Sequence, residues 1–259
     1  MGAMGAESFR TAAQTAEDAI LTAIAERWRV LLQEAAENPG GPAFNPAREA
    51  AAGRRLVQAG AGAPPDVVAR LWRQFCGDMA AARGLKAYVA GGDIGQTMLG
   101  GRGYFGFGAH MVQTVEIRDA LEKASETPGI IAVLPWPEHA GAGQWWPMLN
   151  EHRFHDLSIV AGWPSLPGSG GDIPRVAIVG RLPIEPSGDD EMLATVHDDA
   201  REAERLIKKH VVDCEVTARA RSLALVRLKG YVAPDDRRLD AARQAGLDGL
   251  RIVGVRPRP

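Results

Sequence analysis

Residues 111–135, MVQTVEIRDALEKASETPGIIAVLP, decide the fold class. The run 111–115 has strand character, 117–126 reads as a helix, and 130–135 reads as a second strand. A further β-like run at 86–90 joins them, and 86–172 is expected to form a small α/β lobe. Its middle holds GGRGYFGFG, residues 100–108. The glycine spacing there is not a dinucleotide fingerprint, and the segment is expected to be a flexible loop.

Downstream, 173–259 alternates again. The expected order is a strand at Val176–Arg181, a strand or loop around Met192–Val196, a helix near 199–209, a strand, a strand at Leu223–Lys229, a helix near 236–245 and a strand at Arg251–Val255. This spacing predicts a small α+β sandwich. The segment SGGD, 169–172, is the expected linker.

Upstream, 1–85 is helical in character. A long helix over 7–37 places Ile20, Ile24 and Leu31 at helical spacing, with no internal proline or glycine. Pro39, Gly40, Gly41 and Pro42 stop it. Asn45 followed by Pro46 reads as an N-cap with proline at the first helical position, opening a short helix to about Ala59. A third helix follows GAGAPP, from Asp66 to near Gly84, with Val67, Leu71, Phe75 and Met79 as its apolar stripe.

The 259 residues are 46% hydrophobic and 24% charged, as in ordinary globular proteins. A net charge of −2 gives no reason to expect nucleic acid as a partner. No apolar run approaches the roughly 20 residues of a membrane-spanning helix. The start, MGAMGAESFR, lacks a charged region followed by an apolar core, so cytosolic residence is expected. Cys76 and Cys214 are the only cysteines, too few for a disulfide framework or a zinc site.

The helical region carries the chemistry. Arg10 and Arg27 lie roughly 25 Å apart along one helix and on different faces, so they cannot grip one small ligand from the same chain. Two paired copies of the helix would make two sites, each with Arg27 of one chain and Arg10 of the other.

The pattern F-R-x(14)-A-E-R over 9–27, N-P-x-R-E over 45–49 and a third helix after Pro64-Pro65 resembles the all-helical (AroQ-type) chorismate mutases. The resemblance implies an intertwined homodimer of three-helix chains that rearranges chorismate to prephenate in aromatic amino-acid synthesis. That reaction is pericyclic. The protein holds the reactive conformer and stabilises charge on the ether oxygen, and guanidinium groups fix the carboxylates. Carried over by position, Arg10, Arg27 and Arg48 bind carboxylates and Glu49 binds the substrate hydroxyl. The family's lysine falls on Asn38, its turn aspartate on Asn45, its third-helix serine on Met79 and its glutamine on Arg83. No lysine occurs before Lys86. Arg83 is therefore the expected cation for the ether oxygen. No metal or organic cofactor is implied.

The segment 114–139, ending Trp136-Pro137-Glu138-His139, resembles a degenerate prephenate dehydratase lobe. Pro174-Arg175 lies where that family carries a Thr-Arg-Phe triplet, and only the arginine matches. Residues 222–257 resemble an ACT-type regulatory fold through Gly230, Asp235, Asp236, Arg237 and Gly254. The expected architecture is thus a multidomain α and α+β chain: a helical mutase-like domain (1–85), a small α/β lobe (86–172) and an ACT-like sandwich (173–259). The expected function is chorismate mutase. The alternative is a weak or inactive regulatory protein that binds chorismate or prephenate, suggested by Asn38, Asn45 and Met79.

Other groups point to bland roles. Glu151, His152 and His155 read as surface polar residues, and Trp145 and Trp146 as packing anchors. Lys208, Lys209 and His210 complement a helix C-terminus.

Overall fold

The structure, a computed structural model, describes residues 6–60, 62–138, 140–166 and 172–258. His139 and most of the expected linker at 169–172 lie outside them. The chain divides into two compact units, one ending at Gly41 and the other beginning at Pro42.

The first unit is the long helix α1 (Ala6–Glu37). Glu26 and Arg29 pair along it at 2.7 Å, and the hydroxyls of Thr11, Thr15 and Thr22 return to carbonyls four residues back. Phe9, Ile20, Leu21 and Ile24 are exposed. Among the described residues, no helix is long and apolar enough to cross a membrane.

The second unit begins with α2 (Pro46–Ala59) and α3 (Pro65–Ala82). As the Asn-Pro pair predicts, the Asn45 side chain accepts from Arg48 N at 2.9 Å and caps α2. Of the apolar stripe expected on α3, Met79 is buried and Val67 and Phe75 are half-buried, but Leu71 is 67% exposed, and Ala69, Arg73, Cys76, Gly77 and Ala80 make up the rest of the buried face. A face built on arginine and glycine does not register as hydrophobic periodicity.

Three strands, β1 (Lys86–Val89), β2 (His110–Gln113) and β3 (Ile130–Pro135), are parallel, in the order β2-β1-β3. Parallel neighbours need crossovers, and helices α4 (Ile94–Phe105) and α5 (Ile117–Glu126) supply them. α4 overturns the expectation of a loop over 100–105, while 106–108 form a turn. Asp93 caps it, its carboxylate accepting from Gln96 N at 3.0 Å, and the helix continues through Gly100, Gly101 and Gly103. Those glycines serve contact. A Cβ at Gly100 would stand 2.5 Å from Val176, and one at Gly103 would stand 2.7 Å from Trp163. The helix therefore lies close against the sheet, and packing outweighs the roughly 1 kcal/mol helix penalty of each glycine.

Two further strands extend this half. β4 (Ser158–Trp163) was not anticipated, and β5 (Val176–Gly180) was expected with the C-terminal sandwich. β5 instead lies between β3 and β4, antiparallel to both. The sheet then continues through β6 (Asp190–His197), β7 (Cys214–Ala220), β8 (Leu223–Lys229) and β9 (Arg251–Pro257). Among the described residues these strands form one mixed sheet, ordered β2-β1-β3-β5-β4-β9-β6-β8-β7. Its halves meet where Ile159 of β4 registers with Gly254 of β9. A Cβ on Gly254 would lie 2.5 Å from Ile159, so glycine lets the two strands approach.

Helices α6 (Ala203–His210) and α7 (Arg237–Gln244) cover one face of the C-terminal half. Met192, Ala194 and Val196 of β6 and Ala224, Val226 and Leu228 of β8 point into that core. Strand alternation sends Glu191, Leu193, Leu225 and Arg227 to the opposite face. There the turns after β3 carry Trp136, Trp145 and Trp146.

Candidate functional site

Asn45, Arg48 and Glu49 sit at the start of α2. Arg48 is exposed. The Asn45 amide nitrogen donates to Glu185 Oε2 at 3.0 Å, so that side chain is held from both ends. Glu49 is engaged by α3: Arg73 Nη1 donates to its Oε2 at 3.1 Å, and Trp72 Nε1 donates to its backbone carbonyl at 2.8 Å.

Arg73 was not anticipated as a functional or structural group. It is 2% exposed. Its Nε donates to the Tyr104 carbonyl at 2.8 Å, near the end of α4, where helix carbonyls favour a cation. Its guanidinium carbon lies 3.8 Å from the Tyr104 ring centroid. Gly77, one turn along α3, makes this contact possible, because a Cβ there would stand 1.6 Å from the Phe105 carbonyl oxygen. Burial pushes the Glu49 carboxyl above its ordinary range, and Arg73 opposes that shift. Burial likewise raises the Tyr104 phenol.

Met79 is buried, and Arg83 is the C-cap residue of α3. Ten residues separate Arg83 from Arg73, roughly 15 Å along a helix. Within one chain, Arg83 therefore stands far from the end of α3 that meets Glu49. Arg10 and Arg27 lie on α1, and Asn38 follows its end, with its N–H donating to Glu34 O at 3.0 Å.

A second polar constellation lies on the sheet. Trp136, Pro137, Glu138, Arg175, Glu191, Leu193, Thr217, Leu225 and Arg227 line a cleft of about 200 Å³. Trp136 and Arg175 neighbour each other because Trp136 N donates to Arg175 O at 3.2 Å, at the ends of β3 and β5. Two guanidinium groups approach the Trp136 ring, Arg175 at 4.8 Å and Arg256 at 5.0 Å from its centroid. Trp136 also lies against Gly162 of β4, where a Cβ would meet the indole at 2.5 Å.

Glu191 faces three cations. Arg256 Nε lies 3.5 Å from Glu191 Oε1, and Arg227 Nη1 lies 3.9 Å from Oε2. Glu191 Oε1 and Arg256 Nε are buried and make no hydrogen bond among the described residues. Burial lowers the pKa values of Arg175 and Arg256, with Glu191 acting in the opposite sense on both. Of the residues lining this cleft, the sequence singles out Trp136, Pro137, Glu138 and Arg175. Glu191, Arg227 and Arg256 come from three strands that the sheet brings together.

The remaining groups are structural. Trp145 and Trp146 are buried, as expected, and donate through their indole nitrogens to the carbonyls of Pro135 and Glu138 at 2.8 and 3.0 Å. Glu151 takes both Arg118 terminal nitrogens at 2.8 Å. Cys76 and Cys214 are buried and form no disulfide among the described residues, and burial pushes the Cys214 thiol up to about 11. No group of three or more metal-ligating side chains occurs among the described residues.

No family profile and no curated protein matches the sequence. Solved structures that match the chain include GqqA, described as a novel type of quorum quenching acylase. It has 14% identity and a TM-score of 0.47, covering 67% of this chain and 95% of that one. Prephenate dehydratase from Streptococcus mutans has 11% identity and a TM-score of 0.43, with 66% and 97% covered. Prephenate dehydratase in complex with L-Phe from Arthrobacter aurescens has 14% identity and a TM-score of 0.47, with 66% and 90% covered. Likeness at this level assigns no activity to the chain.

Proposed function

We propose that the protein is a cytosolic homodimer acting at the chorismate–prephenate step as a dicarboxylate-binding protein with little or no mutase turnover. The observation that carries this reading is the Glu49–Arg73 pair, at 3.1 Å in buried surroundings. A carboxylate that receives a substrate hydroxyl needs an open lone pair facing the ligand. Glu49 instead gives its Oε2 to an internal cation, which leaves only Oε1 to face a ligand, and removing either member of such a pair is strongly destabilising. The lysine of the mutase pattern is also missing, which removes a charge directed at the transition state. Arg10, Arg27 and Arg48 retain the carboxylate-binding pattern. The exposed apolar residues of α1 support pairing of two copies, which would bring Arg10 of one chain to Arg27 of the other.

The test is loss of chorismate absorbance with purified protein, with acid conversion of prephenate to phenylpyruvate as the product check. The expected result is a rate near the uncatalysed one, together with chorismate-dependent thermal stabilisation that disappears in Arg27→Ala and Arg48→Ala. Rapid turnover abolished by Arg27→Ala would replace this reading with that of a working chorismate mutase, an isomerase. The exposed Arg48 at the start of α2 favours that second reading.

A further inference from the structure

We propose that Glu185 is an autoinhibitory carboxylate: the segment 182–187 holds it against the start of α2, where it competes with an incoming dicarboxylate. This role rests on the reading of the α2 start as a carboxylate-binding element.

Asn45 and Glu185 meet although they are 140 residues apart in the chain, Asn45 Nδ2 donating to Glu185 Oε2 at 3.0 Å. The same Asn45 side chain accepts from Arg48 N at 2.9 Å. A single amide group therefore stands between the Glu185 carboxylate and the first turn of α2. Both residues line one small cavity together with Pro46 and Ala47. Negative charge is favoured at that end of a helix. Here the chain brings its own.

Glu185 is firmly presented. It lies between Pro183 and Pro186, whose rings fix their own φ and bias each preceding residue toward extended backbone. On one side the Tyr231 hydroxyl donates to the Ile184 carbonyl at 2.9 Å. On the other, Arg54 Nη2 donates to Ser187 Oγ at 2.8 Å and also to the Ser187 carbonyl. Ser187 Oγ donates in turn to the buried Asp190 at 2.6 Å. The backbone is thus pinned on both sides of the glutamate.

The pairing itself is selective. Glu185 is half-buried and forms no ion pair among the described residues. A carboxylate kept for stability alone gains more from a cation than from a neutral amide. Position 45 is where the mutase pattern carries an aspartate. An aspartate could cap α2 equally well, but it has no donor and would repel Glu185. An asparagine caps the helix with its oxygen and holds the carboxylate with its nitrogen. A ligand carboxylate drawn to Arg48 therefore meets a like charge already fixed at the helix start.

The test is calorimetric titration of the full chain with chorismate, comparing the protein with Glu185→Gln and Asp119→Asn. Glutamine keeps an oxygen for the Asn45 amide, so the cap of α2 stays in place. Asp119 is an exposed carboxylate in the first turn of α5, and its replacement makes the same change in net charge elsewhere. Glu185→Gln should bind chorismate about fivefold more tightly, the size of one like-charge repulsion at a partly exposed site. The gain should shrink as salt is raised. Asp119→Asn should bind like the protein itself. Binding seen only in Glu185→Gln would be the strongest form of the expected result. Equal affinity in the protein and Glu185→Gln would overturn the inhibitory role and leave chorismate binding standing. Equal tightening in Asp119→Asn would also overturn it, since net charge alone would then account for the gain. Absence of binding in the protein and in both variants would overturn the carboxylate-binding reading, and the role of Glu185 with it.

Discussion

Arg73 and Arg256 begin from the same circumstances. Each is almost fully buried, each lies against an aromatic ring and each faces a glutamate. Arg73 makes two hydrogen bonds, Nη1 to Glu49 and Nε to the Tyr104 carbonyl, while its buried Nη2 has no partner among the described residues. Arg256 Nε and the Glu191 oxygen that faces it lack one as well. Burial alone therefore does not say how a cation is held: the Glu49–Arg73 pair is hydrogen-bonded at 3.1 Å and the Glu191–Arg256 pair stands 3.5 Å apart without a hydrogen bond.

Four outcomes would break or sharpen this contrast, and the first is the largest. Glu49→Ala strands Arg73 without its counter-charge and should cost about 3–5 kcal/mol, read from urea unfolding. A loss near zero would mean that solvent already reaches the pair. Next, Gly77→Ala forces α3 away from the Phe105 carbonyl and should cost about 3 kcal/mol, with a loss of near-ultraviolet circular dichroism from the Tyr104 region. Glu191→Gln should be milder, about 2 kcal/mol, since it leaves the buried Arg256 without its counter-charge but breaks no hydrogen bond at Oε1.

The smallest effect concerns Asp236, the half-buried cap of α7. Hydrogen bonds from the Arg238 side chain and backbone hold its carboxyl at about 2. A depressed folded value means that the contribution is complete above an unfolded value of about 4 and fades as pH falls through about 2. In melting curves against pH, Asp236→Asn should flatten the acid limb in that window and leave the neutral region little changed. Glu49 works in the opposite sense. Burial raises its folded value, so its favourable contribution is present below the unfolded value and lost as pH rises through the folded one.

Much of the chain was legible in its sequence. The Asn45-Pro46 cap placed α2, and the run Leu223–Lys229 matches β8 residue for residue. The failures share a cause: they depend on what a segment meets, not on its own pattern. Gly100, Gly101 and Gly103 read as a loop because glycine is locally unfavourable in helices, but close packing on the sheet requires them. β5 read as the start of a C-terminal sandwich because nothing local says which strands will flank it.

The site followed the same rule. Nothing local singles out Arg73, since its partners lie 24 and 31 residues away in the chain. Trp136 and Arg175 drew notice as neighbours of a recognisable loop and triplet. Glu191, Arg227 and Arg256 did not, because each is a charged residue on a strand whose significance appears only when β6, β8 and β9 lie side by side. Alternation along β6 could have given a signal: Glu191 shares a face with Leu193, an acidic side chain where an apolar one would be expected.

A double-mutant cycle on Glu49 and Arg73, measured by urea unfolding of the protein, Glu49→Gln, Arg73→Met and the double variant, tests the central claim most directly. The expected coupling is about 2–3 kcal/mol, the upper part of the range for groups in one buried network. Additivity within about 0.5 kcal/mol would contradict the account. It would mean that Glu49 is not committed to Arg73 and is available to a ligand.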